Sequence, residues 1–175
     1  MIEHLVVSRN SQIGNLIALR LGALATTRRN KYDPLYFDLR EGVPLPEAKI
    51  TFFCSGINGF VACAADPLAA WAVNVEGTVR AATHQVTKGH RVVLLSSCAA
   101  ETHPYTVYGA FKRHTERAFE EFGDQASIYR FGPVKFPGRA TYSNQDYHPI
   151  GVPELVEAVS GPFVPGLHKL FNTPK

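Results

Sequence analysis

Short apolar runs alternate with segments of helical periodicity along most of the chain. The runs at 4–8, 50–54, 91–96 and 126–130 are uninterrupted and rich in β-branched residues, which is typical of strands buried on both faces of a parallel sheet. Weaker strands are predicted at 22–27 and 35–39. Apolar residues at helical spacing predict helices at 13–21, 67–88, 107–122 and 153–160.

The order of these elements indicates an α/β fold, with a doubly wound parallel sheet and helices on both faces. Asp66 and Pro67 supply an N-cap and a first-turn proline for the longest helix, and Gly89 marks its end. From Gly132 onward Pro and Gly become frequent, and the helix at 153–160 is the only regular element expected there.

Composition narrows the class of protein. The 175 residues suffice for one domain with a core, and 45% hydrophobic residues exclude a disordered chain. A net charge of +3 without a basic run argues against a nucleic-acid partner. No apolar stretch has the length of a membrane span, and Met1 leads into a strand-like run that is unlike a signal peptide. We therefore expect neither nucleic acid nor a membrane as a partner.

The three cysteines, Cys54, Cys63 and Cys98, form no CxxC pair and have no paired histidines nearby. This pattern predicts reduced thiols in the core of a cytoplasmic protein. It predicts no disulfide and no metal site.

The sharpest chemical pattern places two serines at a strand end, followed by a tyrosine and a lysine on one helix. Ser96 and Ser97 close the run at 92–97, and Tyr108 and Lys112 share a helix face because they are four residues apart. A tyrosine has a reference pKa near 10, so proton transfer near neutrality requires that pKa to fall by roughly three, about 4 kcal/mol. A neighbouring ammonium supplies part of that change. The set predicts proton transfer during the interconversion of a carbonyl and an alcohol.

In order and spacing, seven pieces of the chain resemble the extended short-chain dehydrogenase/reductase family, the NAD(P)-dependent sugar-nucleotide epimerases, dehydratases and reductases. They are FCSG at 53–56, DP at 66–67, VNVEGT at 73–78, VVLLSS at 92–97, YGAFK at 108–112, YRFGPV at 129–134 and PG at 137–138. The resemblance runs from about Leu5 to Gly138 and implies a Rossmann-like fold.

The resemblance also implies roles for individual residues. Tyr108 matches the family's acid/base, Lys112 the lysine that holds the nicotinamide ribose, and Ser97 or else Ser96 the hydroxyl that orients the substrate oxygen. The cofactor-binding residues implied are Ser8, Asn10, Ser11, Gln12, Ile13, Gly14, Arg28, Arg29, Asp38, Leu39, Cys54, Ser55, Gly56, Lys112, Pro133 and Val134.

The glycine-rich loop departs from the family pattern. Ser8 and Ser11 stand where the GxxGxxG motif has its first two glycines, and only Gly14 is kept. Glycines there let the backbone turn tightly and approach the pyrophosphate, so a cofactor is expected to bind more weakly or in a shifted pose. Arg28 and Arg29 follow the second strand without an acidic residue, which favours NADP over NAD. A solvated charged loop is the alternative interpretation.

The family's substrate lobe is much reduced in this sequence. About 37 residues follow Gly138, fewer than a typical domain has. We expect a dinucleotide-binding domain at 1–140 and a short extension at 141–175, in which 148–158 resembles a returning strand and helix. The resemblance further implies a homodimer through the two long helices, with Trp71 in the packing, although a buried tryptophan is more often simply core.

Two functions remain open at this stage. The first is an NADP-dependent oxidoreductase or epimerase that acts on a small molecule, such as a sugar or sugar nucleotide, through Ser97, Tyr108 and Lys112. The second is a non-catalytic relative that senses nucleotides or acts as a scaffold. The serines of the glycine-rich loop and the reduced lobe favour the second, and the retained tyrosine and lysine favour the first.

Overall fold

The computed structural model describes residues 1–8, 10–42, 44–137 and 149–171. Within them are eight strands: β1 (Ile2–Val7), β2 (Leu24–Ala25), β3 (Ala48–Phe53), β4 (Arg91–Ser97), β5 (Ala126–Phe131), β6 (Val134–Lys135), β7 (Ile150–Gly151) and β8 (Gly166–Leu170). Six of them form a parallel sheet in the order β2-β1-β3-β4-β5-β8, and β6 pairs with β7 alone.

Seven α-helices are described: α1 (Gln12–Leu21), α2 (Phe60–Ala65), α3 (Pro67–Trp71), α4 (Thr78–Thr87), α5 (Ala99–Thr102), α6 (Val107–Glu120) and α7 (Val152–Ser160). A π-helical turn, Ala72–Gly77, joins α3 to α4, and a 3₁₀ turn, Gly123–Gln125, precedes β5. Among the described residues, no helix is both long and apolar enough to cross a membrane.

The sheet separates two apolar layers. Side chains of α4 and α6, including Ala82 and Phe119, pack with Leu5 on one face. Side chains of α1 and α7, including Ile17 and Leu155, pack on the other. Successive strand residues alternate between the layers because side chains of a strand point to opposite faces. The predicted doubly wound parallel sheet with helices on both faces is confirmed.

Several local predictions were wrong. The strand predicted at 22–27 is only two residues long, and the one predicted at 35–39 is reduced to a single bridge between Thr27 and Tyr36. β7 lies within 148–158, where a short returning strand was expected, but the sequence-based prediction missed α2, α5, β6 and β8. The last of these is an edge strand that mixes Gly166, His168 and Lys169 with two leucines, so it lacks the apolar run of a central strand.

The strand order puts the topological switch point between β1 and β3, because β2 lies on one side of β1 and β3 on the other. Ligands of open α/β sheets bind outside the carboxyl ends of the strands at such a point. Residues 8, 10–11, 54–58, 98 and 132–133 follow the carboxyl ends of β1, β3, β4 and β5. Gly138, His148 and the predicted domain boundary at 140/141 lie outside the described residues.

Candidate active site

Two adjoining clefts form one groove along the carboxyl edge of the sheet. The first has a volume of about 710 Å³ and contains Tyr108, Lys112 and Ser97 in its lining. The second, about 490 Å³, contains Arg28 and Asp38. Residues that line both are Ser11, Ile13, Cys54, Ser55, Asn58 and Phe136. The groove therefore connects the two ends at which the sequence places the nicotinamide and the adenine of a dinucleotide.

Tyr108 and Lys112 lie one turn apart on α6, as their spacing predicted. The ammonium Nζ of Lys112 is 5.8 Å from the centroid of the Tyr108 ring and donates to the carbonyl oxygen of Leu95 at 3.4 Å. Lys112 is 8% exposed and Tyr108 is half-buried. The helix thus places one ammonium group close to the phenol ring.

A tight contact at Gly109 fixes the start of α6. A Cβ at this glycine would lie 2.0 Å from the carbonyl oxygen of His103 and 2.6 Å from that of Ala99. Thr106 caps the helix, since its Oγ1 accepts from the Gly109 amide at 3.1 Å and donates to the His103 carbonyl at 2.8 Å. The segment before α6 thus sets where the Tyr108 side chain leaves the helix.

The two serines at the end of β4 differ in their surroundings. Ser96 is 1% exposed, and its hydroxyl donates to Glu116 Oε1 at 2.5 Å. Ser97 is half-buried in the lining of the first cleft, and its Oγ accepts from the Ala99 amide at 3.2 Å. Both serines line the first cleft, but Ser97 is the more exposed of the two, whereas the Ser96 hydroxyl is held by Glu116.

A network of ion pairs extends from the buried Glu116 and Arg130 to the exposed Glu101 and Lys169. Glu116 accepts two hydrogen bonds from Arg130, at 3.0 Å from Nε and 2.5 Å from Nη2. Arg130 also donates to Glu101 at 2.6 Å, and Lys169 forms an ion pair with the same Glu101 oxygen at 2.6 Å. Lys169 and Arg130 together lower the pKa of Glu101 below its ordinary value. The network joins α5, α6, β5 and β8.

The sequence-based prediction missed this network. The signal available was Arg130, a charged residue at the end of a run predicted to be buried on both faces. Such a charge requires a partner, but the sequence does not say which carboxylate supplies it.

Ser8 adopts a backbone conformation that is ordinarily favourable for glycine. Its φ is +86°, in the left-handed region. Its amide donates to Thr26 Oγ1 at 3.0 Å, and its carbonyl accepts from the Ser11 amide at 3.1 Å. A Cβ at Gly14 would lie 2.7 Å from that carbonyl, so the third glycine of the motif is required for this packing. The chain therefore makes a tight turn after β1 despite the serine.

The N-terminus of α1 is partly satisfied by the chain itself. Ser11 is its N-cap, and the Ser11 Oγ accepts from the Gly14 amide at 3.2 Å. Gln12 and Ile13, the first two helical residues, line the groove, and within the described part of the chain their amides have no acceptor. A helix N-terminus with unpaired amides binds anions such as a pyrophosphate.

The wall between the two clefts contains a second unpaired group. The Ser55 hydroxyl is buried and has no hydrogen-bond partner among the residues described. With the open amides of α1, it fits a bound dinucleotide, which brings acceptor oxygens to this edge of the sheet.

Asn74, also missed by the sequence-based prediction, holds the loop after β3. Its side-chain amide accepts from the Ile57 amide at 2.7 Å and donates to the Ile57 carbonyl at 2.8 Å. A Cβ at Gly56 would lie 2.9 Å from Asn74 Oδ1, so this glycine permits the contact.

Cys54 begins the same loop, and burial raises the pKa of its thiol. Gly56 lines the second cleft, whereas Pro133 and Val134 line the first.

The adenine end of the groove combines one carboxylate with two arginines. Asp38 is 5% exposed and accepts from Arg40 at 2.6 and 3.0 Å, and these bonds lower the pKa of its carboxyl. Leu39 follows, and a Cβ at Gly77 would lie 2.3 Å from its carbonyl oxygen. Arg28 lines the second cleft together with Asp38.

The remaining predicted cofactor residues lie near the same end. Asn10 lines the second cleft, and its side-chain amide donates to Thr27 Oγ1 at 3.4 Å. Arg29 is exposed, and its backbone amide donates to the same Thr27 oxygen at 3.2 Å. The lining of the two clefts includes Arg28 but not Arg29.

No protein-family model and no curated protein sequence matches this chain. Solved structures do match. The dTDP-4-dehydrorhamnose reductase from Bacillus anthracis in complex with NADP has a TM-score of 0.76 at 15% identity, over 99% of this chain and 76% of that one. MoeE5 in complex with UDP-glucuronic acid and NAD has a TM-score of 0.75 at 19% identity, over 96% and 75%.

A short-chain dehydrogenase from Burkholderia cenocepacia in complex with NADP has a TM-score of 0.68 at 18% identity, over 91% of this chain and 82% of that one. At such identities the likeness concerns the fold. The parallel sheet, its order and these neighbours agree: the chain has the Rossmann-like fold of the short-chain dehydrogenases/reductases, as its sequence motifs predicted.

Proposed function

We propose that this protein is an NADP-dependent oxidoreductase that interconverts a carbonyl and an alcohol. The observation that carries the proposal is the pairing of Tyr108 and Lys112 at the first cleft, with the accessible hydroxyl of Ser97 in the same lining. In the proposed mechanism, Tyr108 gives its phenolic proton to the substrate oxygen, and Lys112 stabilises the phenolate left behind. Ser97 holds the same oxygen by a hydrogen bond.

The residues of the groove fit a nicotinamide dinucleotide, which supplies or accepts the hydride when it is bound. The open amides of Gln12 and Ile13 would hold the pyrophosphate, and Asp38 would lie near the adenine. Arg28 in the second cleft favours the 2′-phosphate of NADP over the free hydroxyl of NAD, because a guanidinium binds phosphate in bidentate geometry. Neighbouring structures hold NADP or NAD.

A sugar or a sugar nucleotide is one substrate class to test, since MoeE5 is solved with UDP-glucose and with UDP-glucuronic acid. An epimerase uses the same proton and hydride transfers, so the site residues alone do not separate it from a reductase.

A non-catalytic nucleotide sensor is the second candidate. It is supported by two internal hydrogen bonds that would compete with the cofactor that turnover needs: the Gly14 amide donates to the Ser11 hydroxyl, and Arg40 donates to the Asp38 carboxylate. The two candidates agree on nucleotide binding and differ on turnover.

The test is to measure dinucleotide binding and turnover with the same preparations. We expect wild type and Tyr108→Phe to bind NADPH with equal Kd, and Tyr108→Phe to lose about 10²–10⁴-fold in kcat toward a carbonyl substrate. Lys112→Met should weaken both binding and turnover, since the lysine is assigned to the ribose as well as to the phenol. Absence of NADPH binding at millimolar concentration would rule out both candidates. NADPH binding, together with a Tyr108→Phe variant that keeps the biological activity of the wild type, favours the sensor.

We further propose a cytoplasmic homodimer. Three unpaired, buried cysteines are in keeping with a reducing compartment. Leu68 on α3 is 83% exposed, and Trp71 on the same helix packs its ring edge-on against Phe111 and His114 of α6. The helices α3, α4 and α6 therefore present one continuous side of the molecule on which a second copy would pack.

A further inference from the structure

Three aromatic side chains form a wall beside the proposed proton donor. The Phe60 ring lies between two others, with its centroid 5.6 Å from that of Tyr108 and 5.2 Å from that of His103. The Tyr108 contact is edge-to-face, at an interplanar angle of 83°. All three residues line the first cleft. We refer to Phe60, His103 and Tyr108 as the aromatic wall.

Phe60 is held at the cleft by the local backbone. It is the first residue of α2, directly after Gly59, whose φ of +95° turns the chain into the helix. The side chain remains 45% exposed, although burial of a phenylalanine is favourable by about 1.5–3 kcal/mol. An aromatic ring left open in a concave site provides a surface for a ligand.

The lining contributed by β5 and the residues after it is also apolar. Phe131, Val134 and Phe136 line the first cleft and pack behind it against the core layer of α1 and α7. The proton donor is thus surrounded by aromatic and aliphatic groups from two separate parts of the chain.

Charge is scarce in this lining. Among the described residues of the first cleft, Lys112 is the only Lys, Arg, Asp or Glu, and its ammonium already donates to Leu95. The diphosphate of a sugar nucleotide carries about two negative charges, and burying them without cationic partners costs several kcal/mol. The described lining thus offers mainly apolar and aromatic surface to a substrate.

We propose that the substrate is an uncharged, single-ring aromatic aldehyde or ketone, or the corresponding benzylic alcohol, with its ring packed against Phe60 and His103. This inference rests on the proposed function. The carbonyl oxygen takes the Tyr108 proton and its carbon takes the hydride that the reduced cofactor supplies, so that the products are the alcohol and the oxidised cofactor. Solvent returns the proton to Tyr108.

The experiment compares three substrates with the full-length protein and NADPH. They are benzaldehyde, an aliphatic aldehyde of equal carbon number and a dTDP-4-keto sugar, each followed by the loss of reduced-nicotinamide absorbance. We expect turnover of benzaldehyde with the highest kcat/KM. Phe60→Ala should raise the KM for benzaldehyde about tenfold without changing the Kd for NADPH, because an edge-to-face contact and its apolar area are lost. Phe60→Tyr should retain the wild-type KM.

Val61→Ala is the matched control, since Val61 is the next residue on α2 and is 85% exposed. It should leave every parameter unchanged. A second readout without turnover is calorimetric binding of benzamide to the NADP⁺-loaded protein, which Phe60→Ala should weaken by the same factor. This measurement also detects the aromatic site in Tyr108→Phe, where turnover is lost.

The outcomes separate the two proposals. Turnover of the keto sugar without turnover of benzaldehyde would overturn the aromatic substrate and leave the oxidoreductase intact. Benzaldehyde turnover and benzamide binding that are both insensitive to Phe60→Ala would also overturn the assignment. Failure to bind NADPH would overturn the oxidoreductase and this inference with it.

Discussion

The hydroxyl of Ser11 accepts a hydrogen bond from the amide of Gly14 at 3.2 Å, at the end of α1 that faces the groove. Ser11 stands at the second glycine of the family's motif, and its side chain caps α1. A capping hydroxyl and a phosphate oxygen compete for the same helix N-terminus, because both are acceptors for its unpaired amides.

Ser11→Gly should therefore bind NADPH more tightly than the wild type. The change frees the Gly14 amide and removes a Cβ from the path of the pyrophosphate. One additional hydrogen bond to a charged group is worth about 1.5 kcal/mol, so the Kd should fall roughly tenfold. Glycine is a tolerated N-cap, and the free energy of unfolding should fall by only a few tenths of a kcal/mol.

Ser11→Ala is the control for this prediction. It also frees the amide, but it keeps the Cβ and removes the cap, which costs about 1 kcal/mol of stability. We expect a smaller gain in affinity from it than from Ser11→Gly, because the amide is freed but the Cβ stays in the path of the pyrophosphate. Equal affinities of Ser11→Gly and wild type in fluorescence titrations would show that the cap does not compete with the cofactor.

The free energy of unfolding at acidic pH should depend on Asp38. Arg40 lowers the pKa of this carboxyl in the folded state, so the unfolded chain binds the proton more readily. The stabilisation is fully present above the unfolded pKa, near 3.9, and is lost as the pH falls through the lower folded value. Asp38→Asn should flatten the pH dependence of the urea midpoint below about pH 4, while the exposed Asp124→Asn should not. A wild-type slope in Asp38→Asn would contradict this assignment.

The sequence predicted well those features that depend on residues close together in the chain. The joint placement of Tyr108 and Lys112 follows from helical spacing alone, and the central strands follow from runs such as 92–97. The clamp of Asn74 on Ile57 joins residues 17 positions apart, and no periodicity encodes such a contact. The left-handed backbone conformation of Ser8 could not be predicted from the sequence for another reason. Serine rarely adopts a φ of +86°, and only the surroundings of Ser8 impose it.

The proposed dimer can be tested at Leu68. If α3, α4 and α6 pack against a second copy, Leu68→Glu places a charge in an apolar interface and should shift the protein to monomer in sedimentation velocity. Val164→Glu is the matched control, because Val164 is 49% exposed and precedes β8 rather than lying on these helices. A monomeric wild type at all concentrations would contradict the dimer.

Among the buried polar residues of α6, substitution of Glu116 should lower the free energy of unfolding the most. It is 2% exposed and accepts from both Ser96 and Arg130. Glu116→Gln keeps the shape but leaves the Arg130 guanidinium without a carboxylate on that side, and loss of one partner of a buried pair costs about 3–5 kcal/mol. Urea unfolding measures this loss. The double variant Glu116→Gln with Arg130→Met should recover part of it, because the second change removes the uncompensated charge. If Glu116→Gln lowered the free energy of unfolding by less than about 1 kcal/mol, Glu101 alone would satisfy the Arg130 guanidinium. The apolar contacts of α6, with Phe119 at their centre, would then hold this helix to the sheet.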